Sequence, residues 1–141
     1  MSETITFFVS GTPIPQGSMK AFRVRNSDKI VMTHSNSKLS EWRNLVSDKA
    51  INEARILDWA IAERGEAIEV KFSFKFPRPK SRKNDVKLTT RPDLDKLIRS
   101  CNDALTGILY EDDSQIDCLY AEKSYISGRE IPGVMIIVTK E

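Results

Sequence analysis

The chain has 141 residues, 40% of them hydrophobic and 30% charged, with a formal net charge of +2 at pH 7. That is a one-domain length and the composition of a soluble globular protein able to bury a small core. Cys101 and Cys118 are the two cysteines and lie outside any Cys-x-x-Cys or Cys/His array, which excludes a disulfide framework and points to a reducing medium. No basic-then-apolar leader opens the chain and no run is long enough to span a bilayer, so a cytoplasmic protein without a membrane partner is expected.

Residues 4–10 alternate Ile5, Phe7 and Val9 with Thr4, Thr6 and Phe8, the pattern of a strand buried mainly on one face. Gly11 and Pro13 end it. The loop through Pro15 and Gly17 delivers Lys20, Arg23 and Arg25 around Phe22, with residues 29–33 as a candidate hairpin return. Two readings stand for this stretch, a basic strand laid along a DNA backbone and a solvated hairpin. His34, the single histidine, has no acid or nucleophile near it in sequence and reads as a surface or hydrogen-bonding residue.

Ser37 or Ser40 caps a helix with Leu39, Trp42, Leu45 and Val46 as its apolar stripe, predicted to run on through residues 50–62. Trp42 and Trp59 read as packing rather than as platforms for bases. After Arg64-Gly65 breaks the helix, Ile68, Val70, Phe72, Phe74 and Phe76 alternate with Glu69, Lys71, Ser73 and Lys75, the clearest strand in the sequence. It continues into a proline-pinned basic loop carrying Arg78, Lys80, Arg82, Lys83 and Lys87. Residues 71–91 hold eight basic side chains and one acid. Because this run leads straight to an acidic segment, it reads as a phosphate-binding approach, with a flexible basic insertion as the alternative.

Residues 91–117 then reverse the charge, with seven carboxylates against three basic side chains, while the rest of the chain has 19 basic and 13 acidic. Asp93, after Pro92, is placed to N-cap a helix whose apolar side is Leu94, Leu97, Ile98, Cys101 and Leu105. Asp95, Arg99, Asn102 and Asp103 fall on the opposite side, and Gly107 is placed for a left-handed C-cap. Cys101 is therefore a core filler. Capping accounts for Asp93 but not for Asp112 and Asp113, which a reversal at Gly107 would return beside the first acidic group. Converging carboxylates repel each other without a cation, and oxygen ligands suit a hard divalent ion, Mg²⁺ with Mn²⁺ as a substitute. Residues 112–117 lack the spacing and central glycine of an EF-hand loop.

Residues 116–124 form another strand, residues 127–130 a turn, and residues 134–139 a closing strand. The order strand, hairpin, helix, strand, helix, strand, strand predicts a single α+β domain over residues 1–141, a mixed sheet with helices packed on it.

Asp93-Leu94-Asp95, Arg99, Asp103-Ala104-Leu105-Thr106-Gly107 and Glu111-Asp112-Asp113-Ser114-Gln115 together resemble the signature of the RusA family of Holliday junction resolvases, D-x-D-N-x-x-K, D-A-L-N-G and D-D-x-Q. Gly11-Thr12-Pro13-Ile14-Pro15, followed by Lys20 and Arg23, is similar to the opening of phage-type members. The resemblance implies a RusA-like fold and a homodimeric endonuclease that cuts four-way DNA junctions with divalent metal. It carries the family's three metal-binding aspartates onto Asp93, Asp95 and Asp113. Two positions depart from the pattern: Lys96 stands where the family has Asn, and Arg99 where it has Lys. Arginine keeps a permanent charge but does not donate a proton, so a titrating role would pass to Lys96.

On this reading Asp93, Asp95 and Asp113 hold one or two Mg²⁺ ions and Arg99 stabilises the transition-state charge. Asp112 supports the metal-bearing turn, and Asp103 caps the helix or forms an ion pair. Lys20, Arg23, Arg25, Arg78, Lys80, Arg82, Lys83, Lys87 and Lys96 bind the phosphates of branched DNA. Two other readings stay open: a DNA- or junction-binding protein with a structural cation and no cleavage, and a metal-dependent nuclease for another nucleic acid.

Overall fold

Strict alternation makes β4 (Ile68–Phe76) a central strand, because its inward residues Ile68, Val70, Phe72, Phe74 and Phe76 are all buried. In the computed structural model, which describes residues 3–17, 20–23, 30–33, 37–82 and 87–141, this strand lies between two neighbours. β5 (Ile116–Tyr125) pairs with it in parallel and β6 (Gly133–Lys140) antiparallel. β1 (Glu3–Ser10) completes the far edge, so the sheet has the order β1-β6-β4-β5 and is mixed. β2 (Lys20–Arg23) and β3 (Ile30–Thr33) form a separate two-stranded ladder, the expected hairpin.

Two helices cover one face of the sheet. α1 (Ser37–Leu57) buries Leu39, Trp42, Val46 and Ala50, and α2 (Leu94–Leu105) buries Leu97, Cys101, Ala104 and Leu105. With Ile5, Phe7, Val9, Val134, Ile136 and Val138 from the sheet, these residues make one hydrophobic cluster. Ser47 Oγ donates to Ala104 O at 2.9 Å and ties the helices together. Both tryptophans belong to this cluster. The fold is α+β. No helix among the described residues is long and apolar enough to cross a membrane.

α1 stops five residues short of its predicted end. Asp58 has φ 56°, its N–H bonds Arg55 O at 3.2 Å, and Trp59 N–H bonds Ala54 O at 2.8 Å. These two bonds are a Schellman ending with aspartate in the left-handed position where glycine is usual. Periodicity alone overran it, because Trp59 and Ala62 are buried from the loop rather than from a helix face. Left-handed backbone at a residue with a Cβ costs about 1 kcal/mol. Asp58→Gly is therefore expected to add about 0.5–1 kcal/mol of stability, seen as a higher urea midpoint at unchanged slope.

Candidate active site

α2 begins where the sequence places it. Asp93 is its N-cap residue, with extended backbone at φ −69° and ψ 138°, yet its carboxylate makes no capping hydrogen bond. The main chain starts the helix instead, Asp93 O accepting from Lys96 N and Leu97 N at 3.2 Å each. The carboxylate is thus left at the positive end of the helix, facing Lys96 Nζ at 3.6 Å. Both partners are about half exposed, so the pair contributes well under ~1 kcal/mol. Asp95 is exposed in the first turn. An open groove is lined by Pro15, Arg91, Pro92, Asp93 and Lys96.

The segment entering this groove is braced from the sheet edge. Lys123 on β5 donates from Nζ to Thr90 O and to Pro92 O, both at 2.7 Å. Lys87 bridges to Ser124 on the same strand. The N-terminal loop closes the other side, Gln16 N donating to Lys96 O at 2.9 Å.

The second acidic group is built by a tight reversal. α2 ends on Thr106, whose N–H bonds Asn102 O at 3.0 Å. Gly107, at φ +86°, then donates from its N–H to Tyr110 O at 2.7 Å. Tyr110 Oη bonds Asn102 Oδ1 at 3.0 Å and pins the returning chain against the end of α2. Asp112 then caps a one-turn 3₁₀ helix, Asp113–Gln115, by accepting from Ser114 N at 3.0 Å. Gln115 reciprocates, its Oε1 accepting from Asp112 N at 2.9 Å. Its Nε2 donates to the carbonyls of Ala62 at 3.2 Å, Glu63 at 2.7 Å and Glu66 at 3.1 Å. Arg64 N also donates to Glu111 Oε2 at 3.0 Å, and its guanidinium lies 3.8 Å from Asp112 Oδ2. The acidic turn is therefore moored to the loop that follows α1.

These contacts divide the electrostatics. Hydrogen bonds from Ser114 hold the Asp112 carboxyl below its usual range. Asp113 is pushed up, first by partial burial, then by its bond to Asp112 and by the charges of Asp112 and Asp103. An anion placed so is relieved by a cation. Burial lifts the Tyr110 hydroxyl well above its normal value and the Cys101 thiol to about 12, so neither is a nucleophile at neutral pH.

The reversal brings Asp113 near enough to Asp103, on the last turns of α2, for the Asp103 charge to contribute to raising its carboxyl. Asp95 precedes Asp103 by two turns, about 12 Å of helix axis. Among the described residues, no three His, Cys, Asp or Glu side chains group closely enough to hold one metal ion. Arg99 is exposed and stands between Asp95 and Asp103, four residues from each.

The basic residues come from several elements. Arg78 Nη2 donates to Ile126 O at 2.9 Å, so Arg78 braces the sheet edge as well as carrying charge. Lys80 and Arg82 are exposed on a 3₁₀ turn, and Lys87 is exposed beside β5. Lys20 and Arg23 lie on β2. Arg25, Lys83 and His34 lie outside the described residues.

Sequence reasoning left Gln16, Arg64, Gln115 and Lys123 without a role. For Gln115 there was a signal, since Asp112-Asp113-Ser114-Gln115 has the spacing of a capping box. Gln16, Arg64 and Lys123 meet their partners across long stretches of chain, and no local pattern announces them.

A scan of protein families matches residues 10–139 to the family described as Endodeoxyribonuclease RusA. No curated protein matches the chain. With nearly its whole length matched and the motif residues on one helix and the turn that follows it, the chain belongs to the RusA endodeoxyribonuclease family.

Proposed function

We propose that this protein is a Mg²⁺-dependent, structure-specific endodeoxyribonuclease that resolves four-way DNA junctions by paired phosphodiester hydrolysis. The observation that carries this reading is the state of Asp93: a carboxylate at the positive end of α2, taking no part in capping and bordering an open groove. With Asp95 beside it and Asp113 held as a disfavoured anion, the residues offer the hard oxygen donors that Mg²⁺ or Mn²⁺ takes. When bound, one or two such ions would polarise the attacking water and neutralise charge on the scissile phosphate.

The chain's own groups do the rest. Asp93, Asp95 and Asp113 hold the ions. Arg99, one turn beyond Asp95, stabilises the developing negative charge on the phosphate and keeps its proton throughout. Lys96, drawn to Asp93 in the free protein, is available to a phosphate once a cation takes its place. Lys80, Arg82 and Lys87, with Lys20, Arg23, Arg25, Arg78 and Lys83, attract the DNA backbone without reading sequence. Cutting two opposed strands requires two sites, which a twofold homodimer supplies.

Cleavage of a labelled four-way junction, compared with linear duplex in Mg²⁺ and in chelator, tests the reading. Symmetric nicking of the junction alone, and only with Mg²⁺, is expected. Tight binding with no cut in Mg²⁺ or Mn²⁺ would leave a junction-binding protein in its place. Affinity should fall steeply with salt, and Lys80→Ala should reduce the slope of log K against log salt by about one. A flat salt response would count against nucleic acid as the partner.

A further inference from the structure

The two helices cover one face of the sheet, and the alternate residues of the same strands build the other. Register places Phe8 of β1, Met135 and Ile137 of β6 and Tyr120 of β5 on that second face, next to the outward residues of β4. Ile131, in the turn before β6, joins them. Tyr120 is 57% exposed, Ile131 55% and Met135 38%. The Phe8 ring lies over Gly133, where a Cβ would collide with it. Met135 stands between two hollows, one of about 370 Å³ toward Tyr120 and Ile137 and one of about 500 Å³ toward Phe8 and Ile131. Apolar knobs beside hollows in one contiguous patch mark a surface built to meet another.

The charges around the patch decide what meets it. The cations Lys71, Lys75 and Arg129 are matched by the carboxylates Glu69, Glu122 and Glu130. Lys75 already meets Glu130 at 3.3 Å, and Lys71 Nζ lies 5.4 Å from the centre of the Tyr120 ring. DNA and anionic lipid call for an excess of cations, and this face has none. A second copy brings the same apolar centre and the same balanced charges, and a twofold axis near Met135 sets apolar residues on apolar residues and unlike charges opposite one another. Four strands about 4.8 Å apart and about 26 Å long make a face of roughly 500 Å². Pairing two copies then buries about 1,000 Å² in all, which is enough for a specific interface. The free edge of β5 is a poorer meeting place, because Lys87 already bridges to Ser124 there. Face-to-face pairing also leaves α2, with Asp93 and Asp95, on the outer layer of each copy and open to DNA.

We propose that the helix-free face of the sheet, centred on Met135 and Ile137, is the surface on which two copies of this chain pair, sheet on sheet about 10 Å apart. Tyr120 and Ile131 of each copy are the knobs that enter the hollows of the other. The inference rests on the reading of paired cuts by a twofold homodimer and assigns the contact that makes the dimer.

The test is sedimentation equilibrium of the DNA-free full chain over a dilution series, beside circular dichroism, junction binding and junction cleavage by the same preparations. The wild type is expected to be a dimer. A substitution at a twofold contact counts twice, so Met135→Glu and Tyr120→Glu are each expected to raise the dimer dissociation constant at least about a hundredfold. Ile56→Glu puts the same charge at a 73% exposed position on α1, away from this face, and is expected to leave that constant within about threefold. Should Met135→Glu not fold, Tyr120→Glu decides alone, since it changes the most exposed side chain of the patch on an edge strand. Four results overturn the inference: a wild type that stays monomeric throughout the series, dimers of wild-type strength in the folded patch variants, a dimer broken by Ile56→Glu, or patch variants that stay dimeric and lose junction binding, which would give the face to DNA. Wild-type dimers that the patch variants separate but that leave junctions uncut overturn the nuclease reading and not this interface.

Discussion

Asp95→Asn is expected to lower junction cleavage by at least ~10³-fold while leaving junction binding within about threefold. The first figure follows from removing one charged oxygen ligand where phosphate charge must be offset, on the scale of losing a preorganised stabilising group, ~4 kcal/mol. The second follows because Asp95 repels phosphate, so its neutralisation costs the ground-state complex nothing. The fold should barely respond. Asp95 is exposed in the first turn of α2 and makes its stabilising contribution through the helix dipole, about 0.5 kcal/mol, or a Tm lower by about 1–3 °C. Activity and stability therefore separate by several kcal/mol, a gap that partial unfolding does not mimic. Rates from pre-bound junction, with thermal denaturation of the same preparations, read both quantities. Cleavage within about tenfold of wild type would remove Asp95 from the metal set.

How far the sequence carries this site depends on where each contact is made. Strict alternation in residues 68–76 and the apolar spacing of residues 94–105 describe what their own side chains bury, so β4 and α2 lie where periodicity puts them. The end of α1 does not, because a left-handed Asp58 decides it and aspartate carries a weaker stop signal than glycine. At the acidic helix, spacing places Asp93 as N-cap and Asp95 in the first turn. It does not tell that Asp93 leaves the cap to the backbone, since that is a side-chain rotamer and not a position. How near Asp113 comes to Asp103 depends on how tightly residues 106–110 reverse. A glycine at position 107 signals a reversal, but Tyr110 bound to Asn102 sets where the chain goes next. The supports from Lys123 and Gln16 are tertiary contacts, 31 and 87 residues from the partners they hold, and no window along the chain contains both ends.

Gln115→Leu is expected to be the most destabilising change at the acidic turn and to remove activity even where the protein stays folded. Gln115 is 9% exposed, and its carboxamide serves four main-chain groups. Leucine fits the volume but removes all four bonds, leaving the Asp112 N–H and the Glu66 carbonyl without that partner, while Ala62 O keeps its bond from Glu111 N and Glu63 O its bond from Glu66 N. Net hydrogen bonds are worth about 1 kcal/mol each, and buried groups left without partners cost more. The sum is roughly 2–4 kcal/mol, a Tm lower by ~10 °C in a chain of this size. Gln115→Glu separates the contributions. It keeps the acceptor for Asp112 N but offers no N–H to Ala62, Glu63 or Glu66, and it sets a carboxylate against three carbonyl oxygens. It should therefore be at least as unstable as Leu. Both variants free the turn that aims Asp113, so Mn²⁺ affinity and cleavage should fall at temperatures where circular dichroism still reports native helix. Asp113 lies two residues from the mooring, and on the proposed reading its short side chain would reach the ion with little slack to absorb a displaced turn. A Gln115→Leu protein with a Tm within about 2 °C of wild type and full cleavage would show that Arg64 and the Asp112 cap hold the turn unaided.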